Sequence, residues 1–251
     1  MAEWDTVYVP AHFSMTDEQV ATVLARMGSA ELVTHHPGQG LVATNLPFLH
    51  DPAVGEHGAL LGHVARNNRQ CSDPVDGEAL VIVTETDHYV SPAWLPSAAE
   101  HGRVVPTWDY VTVHVYGELV AHDDPEWTRA VVDRLTHHHE AASRRVSGGS
   151  DGGPRRASAG GHAWRVDDAA QGYVDAMLKA IVGLELRITR IVAKAKMAQN
   201  KTPADVAALA DVLAAQGDSA GADWLREISL PAAEHRAQVL ADVATRRRPP
   251  D

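Results

Sequence analysis

Fifteen histidines in a chain of 251 residues make imidazole chemistry the first thing to weigh. The neutral ring is the commonest metal ligand, so metal or haem ligation has to be considered. His63 closes the apolar run A-L-L-G-H-V-A beside Gly62, where a missing side chain would let a planar group approach. The competing reading is a core histidine bonded to backbone. His114 lies on the polar face of an alternating run and is a second candidate. His137-His138-His139 falls in a helical pattern, and neighbours on a helix do not share a face, so it reads as a solvated helix end. His35-His36 precedes Pro37-Gly38 and reads as a turn. Cys71 is the lone cysteine, and nothing near it in sequence would lower its pKa enough to make a ready thiolate ligand.

The element that must position such groups is Val104 to Gly117, V-V-P-T-W-D-Y-V-T-V-H-V-Y-G. From Tyr110 it alternates, with Val111, Val113 and Val115 on one face and Tyr110, Thr112, His114 and Tyr116 on the other, which predicts a strand. The ring and hydroxyl face costs free energy to bury unpaired, so it suits a pocket wall. Tyr89 to Trp94 has the same character. Thr16 with Gln19 three residues on predicts a helix start, and Val20, Val23, Leu24 and Met27 give that helix one apolar face up to Gly28. Strands are expected at 30–34, 41–49, 59–65, 79–84, 89–92 and 110–121. Asp124-Pro125 opens a second helix with Trp127, Val131 and Leu135 as its buried stripe. Ser147 to Gly161 is too poor in apolar residues to pack and reads as a mobile insertion. Tyr173 to Ala180 reads as helix and 182–191 as a late strand. Everything after Pro203 is helical, with breaks near Gly217 and Pro231. Many short strands with turns between them predict a barrel, placed in a domain over 1–228 and followed by a helical tail over 229–251.

Composition narrows the function. The net charge of −11 argues against direct nucleic-acid binding, which needs cations to replace counterions along the phosphates. Arg246-Arg247-Arg248 is a short exception at the chain end. No run approaches a membrane span, and the N-terminus lacks a signal-peptide pattern, so a cytoplasmic protein is expected. A single cysteine agrees with a reducing compartment.

Four ordered motifs carry a family likeness: Gly62 to Asn68, Tyr89 to Trp94, Val105 to Gly117, and Lys194 to Asn200. From about Tyr8 to Arg226 the chain resembles the PaiB-like family, the FMN-binding negative transcriptional regulators. The resemblance implies an α+β fold, a split β-barrel of the pyridoxamine-phosphate oxidase type with peripheral helices, in a homodimer. Against the family's N-P-Q-W, W-Y-P-S-K, T-W-N-Y and K-L-S-Q-N-R, this chain has Asn68-Arg69-Gln70-Cys71, Trp94 to Ala98, Thr107 to Tyr110 and Lys196 to Lys201. Lysine and serine each give way to alanine, and asparagine to Asp109. Each change weakens a site for a phosphate, which needs cationic or hydroxyl donors. That joint loss is similar to the haem-dependent offshoot of the family, the piperazate synthases.

That offshoot implies a lyase-type enzyme binding haem b, which closes N5-hydroxy-L-ornithine into L-piperazic acid through an intramolecular N–N bond. The alternative is a flavin-binding regulatory protein holding FMN without turnover. Under the first reading His63 is the iron ligand, with Trp94, Trp108, His114 and Gln199 around the cofactor. Asp109, Tyr89, Tyr110 and Lys196 are then the candidates for moving protons. Arg69 would clamp the carboxylate of the amino-acid substrate. Asp109 is equally readable as a turn residue, Arg69 as a surface ion pair, and the two tryptophans as core.

Overall fold

The structure is a computed structural model that describes residues 8–147 and 163–246, with the side chains of 144–147 left aside. The Gly-rich stretch therefore lies outside the described residues from 148 to its end, as do Arg247 and Arg248. Six strands and seven α-helices alternate along the described chain: α1 Asp17–Arg26, β1 Ser29–His36, β2 Gly40–Asp51, β3 Ala59–Ala65, β4 Ala79–Val90, α2 Pro96–His101, β5 Thr107–His122, α3 Pro125–Ser147, α4 Gln171–Lys179, β6 Ile181–Lys196, α5 Pro203–Gln216, α6 Ser219–Trp224 and α7 Leu230–Arg246. The strand order β1-β2-β3-β6-β5-β4 closes on itself. This is the expected α+β split barrel. The ladders β1–β2, β1–β4, β2–β3 and β3–β6 are antiparallel.

The local signals act as their chemistry requires. Thr16 and Gln19 exchange the reciprocal bonds of a capping box, at 2.9 and 3.2 Å. Val23, Leu24 and Met27 are buried, and Val111, Val113 and Val115 are fully so. Val131 and Leu135 of α3 pack on Ala59 and Leu61, with Trp127 beside them.

Four expectations need correction. The run at 79–84 and the start of that at 89–92 are one strand, β4, which ends at Val90 before a 3-10 turn over Pro92–Trp94. Its buried residues change parity, from Ala79, Val81 and Val83 to His88 and Val90, so the two halves cover opposite faces and the period breaks between them. The late strand β6 runs on to Lys196. His35 and His36 end β1 and do not form a turn. Near Pro231 the helix does not stop; a π-turn over Leu225–Ser229 passes into α7, whose first turn takes the proline that has no N–H to give.

Two compact units account for the described residues: those within Met1–Val20, Thr84–Val113 and Val192–Asp251 form one, and those within Ala21–Val83 and His114–Ile191 form the other. In the second unit β5 and β6 approach so closely that a Cβ on Gly117 would stand 2.1 Å from the Arg187 carbonyl oxygen. A chain of hydrogen bonds also ties the loop after β3 to the β1–β2 hairpin. Asn68 donates to the Thr44 hydroxyl (3.1 Å), which donates to Gln70 Oε1. Gln70 Nε2 reaches Thr34 Oγ1 (2.9 Å) and the carbonyls of Leu32 and Val42. Thr34 meets His36 Nε2 at 2.8 Å, and His36 Nδ1 donates to the Pro74 carbonyl at 2.9 Å.

Candidate functional site

Seven of the ten residues singled out from the sequence fall in the first unit: Tyr89, Trp94, Trp108, Asp109, Tyr110, Lys196 and Gln199. The end of β4, the start of β5 and the end of β6 carry most of them. Tyr89 meets both Trp94 and Trp108 edge-on, with ring centroids 6.1 Å apart in each case. Trp108 is 56% exposed and Tyr89 43%, which rules out ordinary core for Trp108. Large aromatic faces left in water cost apolar hydration unless something covers them. Tyr110 lies under two cations, Lys194 Nζ at 5.6 Å and Lys196 Nζ at 6.0 Å from its ring centre.

Lys196 spends its ammonium on the protein. It donates to Thr107 Oγ1 at 2.6 Å, to the Trp108 carbonyl, and to Asp109 Oδ1 at 3.3 Å. An ammonium has three N–H groups, so this one holds β5 to β6 with none to spare. Lys194 has one described hydrogen bond, to the Tyr8 carbonyl at 3.3 Å. It is the cation of this group with donors left over.

Asp109 shares the core face of β5 with Val111 and Val113 and is 1% exposed. It is a buried strand residue and not a turn. Its Oδ2 has no partner. Burial pushes its carboxyl up, against the pull of Lys196 and His88. His88 had no sequence signal beyond standing between two apparent strands. Its side chain is buried, neither ring nitrogen is hydrogen-bonded, and Nδ1 lies 3.6 Å from Asp218 Oδ2. Burial drives its pKa down, opposed by Asp109 and Asp218.

Gln199 turns inward on its own loop, accepting from Met197 N at 2.8 Å and donating to the Ala195 carbonyl at 2.7 Å. Between these anchors Ala198 takes φ of 62°, the left-handed region a side chain resists. The amide thus braces a strained turn with its oxygen and one of its two N–H donors.

His63, Arg69 and His114 belong to the second unit. His63 sits opposite Gly183 on β6, its Nδ1 buried and without a partner and its pKa lowered by burial. The space beside it at Gly62 is already taken: a Cβ there would meet the Pro47 carbonyl at 2.9 Å and the Phe48 ring at 3.0 Å. Gly62 therefore makes room for Phe48, and the space that the missing side chain leaves is not open to a planar group. Arg69 pairs with Asp73 at 2.9 Å on the surface. His114 is half-buried on the polar face of β5, its pKa lowered by burial. Burial raises the pKa of the Cys71 thiol, away from a thiolate. Among the described residues no cluster of three or more His, Cys, Asp or Glu is placed to hold a metal ion. No described helix is long and apolar enough to cross a membrane.

Residues 7–190 match the family described as "Putative FMN-binding domain", and the chain belongs to that family. An uncharacterized protein of Saccharomyces cerevisiae is 36% identical over 104 residues, covering 40% of this chain and 60% of its own. One from Aspergillus fumigatus is 29% identical over 169 residues, 59% of this chain and 63% of its own. Both alignments leave more than a third of the relative unmatched. The Bacillus subtilis protease synthase and sporulation protein PAI 2 is 24% identical over 201 residues, covering 79% and 85%. Among solved structures, a conserved hypothetical protein of Mycobacterium tuberculosis aligns with a TM-score of 0.48 at 12% identity over 76% of this chain and 91% of that one. An FAD- and haem-binding protein of Mycobacterium smegmatis aligns at 0.45 and 18%, over 73% and 72%.

Proposed function

We propose that this chain binds a flavin mononucleotide and serves as a flavin-binding protein of the PaiB type. The observation that carries this reading is the aromatic set of Tyr89, Trp94 and Trp108, with Tyr89 and Trp108 exposed, beside the cation-bearing Tyr110, within a chain of the FMN-binding family. A flat tricyclic ring covering Trp108 would remove apolar surface that is otherwise in water. Bound there, a flavin supplies hydride or single-electron transfer. The residues fit the ring better than the phosphate, because Ala98 and Ala198 offer no donor and Lys196 is committed to β5. Lys194 is the phosphate partner that remains. Lys196 and Asp109 fix the start of β5, and so the direction in which Trp108 projects.

The test is an absorption spectrum of the purified protein followed by titration with FMN. Flavin bands, or saturable quenching of tryptophan emission, are expected. Trp108→Ala and Lys194→Ala should each weaken binding about tenfold, and Lys196→Ala should act through stability as well. A protein that neither carries nor takes up FMN would overturn the proposal.

A second reading, the haem-dependent cyclase acting on a hydroxylated amino acid, rests on one observation: the buried, unpartnered Nδ1 of His63. Haem contributes Lewis-acid or redox chemistry when bound. Its signature in the same spectrum is a Soret band that disappears in His63→Ala.

A further inference from the structure

A cavity of about 840 Å³ lies against α3 in the second unit. That volume suits a small-molecule ligand. Ala25, Leu49, Ala141 and Ala142 supply apolar wall, and the lining is more apolar than polar. The rim is basic. Arg134, His137 and His138 come from α3, and Arg26 ends α1. Spacings of four along α3 bring Arg134, His138 and Ala142 onto one face, with Asp133, His137 and Ala141 on the adjoining stripe. The helix that read from sequence as a solvated end thus turns two of its three imidazoles to one hollow.

The rim is built for charge. Asp51 holds Arg134 at 2.9 Å, and its own carboxyl is kept below the usual range by the Ala53 N–H and by that arginine. A guanidinium fixed through one nitrogen still presents others. Arg26 and His137 have no hydrogen-bond or ion-pair partner among the described residues. The one carboxylate in the lining, Asp133, is 3.7 Å from Arg129 on its own helix. Two arginines and two histidines thus stand against one carboxylate in the lining, beside its alanines and Leu49.

We propose that this cavity is a binding site for a small amphiphilic anion: a carboxylate or phosphate ester whose apolar body lies against Leu49, Ala141 and Ala142. Arg26, Arg134 and His137 receive the head group, with His138 beside them. The site is separate from the aromatic set, uses none of its residues, and does not depend on flavin binding.

Calorimetric titration of the full chain with octanoate, octyl phosphate, octanol and inorganic phosphate tests this. Saturable binding of octanoate or octyl phosphate is expected, at least about tenfold tighter than octanol or inorganic phosphate, since head and body both contribute. Preference between the two anions names the head group. Arg26→Ala and His137→Ala, both at exposed positions, should each weaken binding about five- to tenfold. Ala142→Trp should abolish it by filling the hollow. Arg103→Ala, an exposed cation in the other unit, should change nothing, and FMN titration should be the same in all four variants. Equal binding of octanol would show a merely greasy cleft and overturn the proposal. So would anion binding that survives Ala142→Trp, or no binding at all.

Discussion

Three imidazoles, one buried and two half-buried, give the protein a defined response to acid. His63, His88 and His114 all have pKa values lowered by burial. The folded state then binds fewer protons than the unfolded chain, and stability rises with pH across the window below about 6.5. Asp109 works in the opposite direction. Its pKa is raised by burial, so its contribution is largest at low pH and is lost as pH rises through the raised value. His88→Gln should flatten the loss of stability on acidification, and Asp109→Asn should steepen it. Urea midpoints measured from about pH 4.5 to 7.5 check both signs. Another residue-scale test concerns Ala198 at φ 62°. Ala198→Gly should stabilise by about 0.5–1 kcal/mol, because relief of the left-handed backbone outweighs the added chain entropy. Some of this was legible. Val111, Val113 and Val115 declared their burial by alternation. Asp109 shares their face, but its residue type reads equally well as a turn. His88 and the bracing role of Gln199 depend on contacts distant in sequence or on a φ angle, and neither leaves a trace in residue type.

Glycine decides how closely the strands can approach. At Gly117 the Arg187 carbonyl occupies the place of a side chain, whereas at Gly62 the nearest atoms are 2.9 and 3.0 Å away. Gly117→Ala should therefore cost more than about 3 kcal/mol, and Gly62→Ala about 1–3 kcal/mol. Chemical denaturation of the two variants gives the order, and equal costs would show that the β5–β6 approach is less tight than described. Gly62 also shows where sequence reasoning misdirected. A glycine beside a histidine suggested access for a planar group, but the residue that needed the space was Phe48 on the neighbouring strand β2. The cross-strand register Phe48↔Gly62 is the missing information, and local pattern does not supply it. By contrast, the α1 cap, the stripe of α3 and β3 were readable, because each is fixed by neighbours within one or two turns.

At the scale of the molecule, the barrel and its surrounding helices followed from strand count and turn spacing, and the family from four short motifs. The site divides less simply. Seven candidates share a unit and three lie in the other, and β4, β5 and β6 are each longer than their alternating cores suggest. The extension of β6 brings Lys196 to Thr107, Trp108 and Asp109, and turns an expected proton carrier into a clamp. Gln70 has a comparable hold on the hairpin. From Asn68 to the Pro74 carbonyl, each hydroxyl gives its single proton onward, so the circuit has only one polarity. Gln70→Glu would set an oxygen against the carbonyls of Leu32 and Val42 and deprive Thr34 of its donor. A loss of about 3 kcal/mol or more is expected by denaturant titration. An isosteric exchange of one atom would make the whole relay run into itself, and the loop after β3 would come adrift from the strands it fastens.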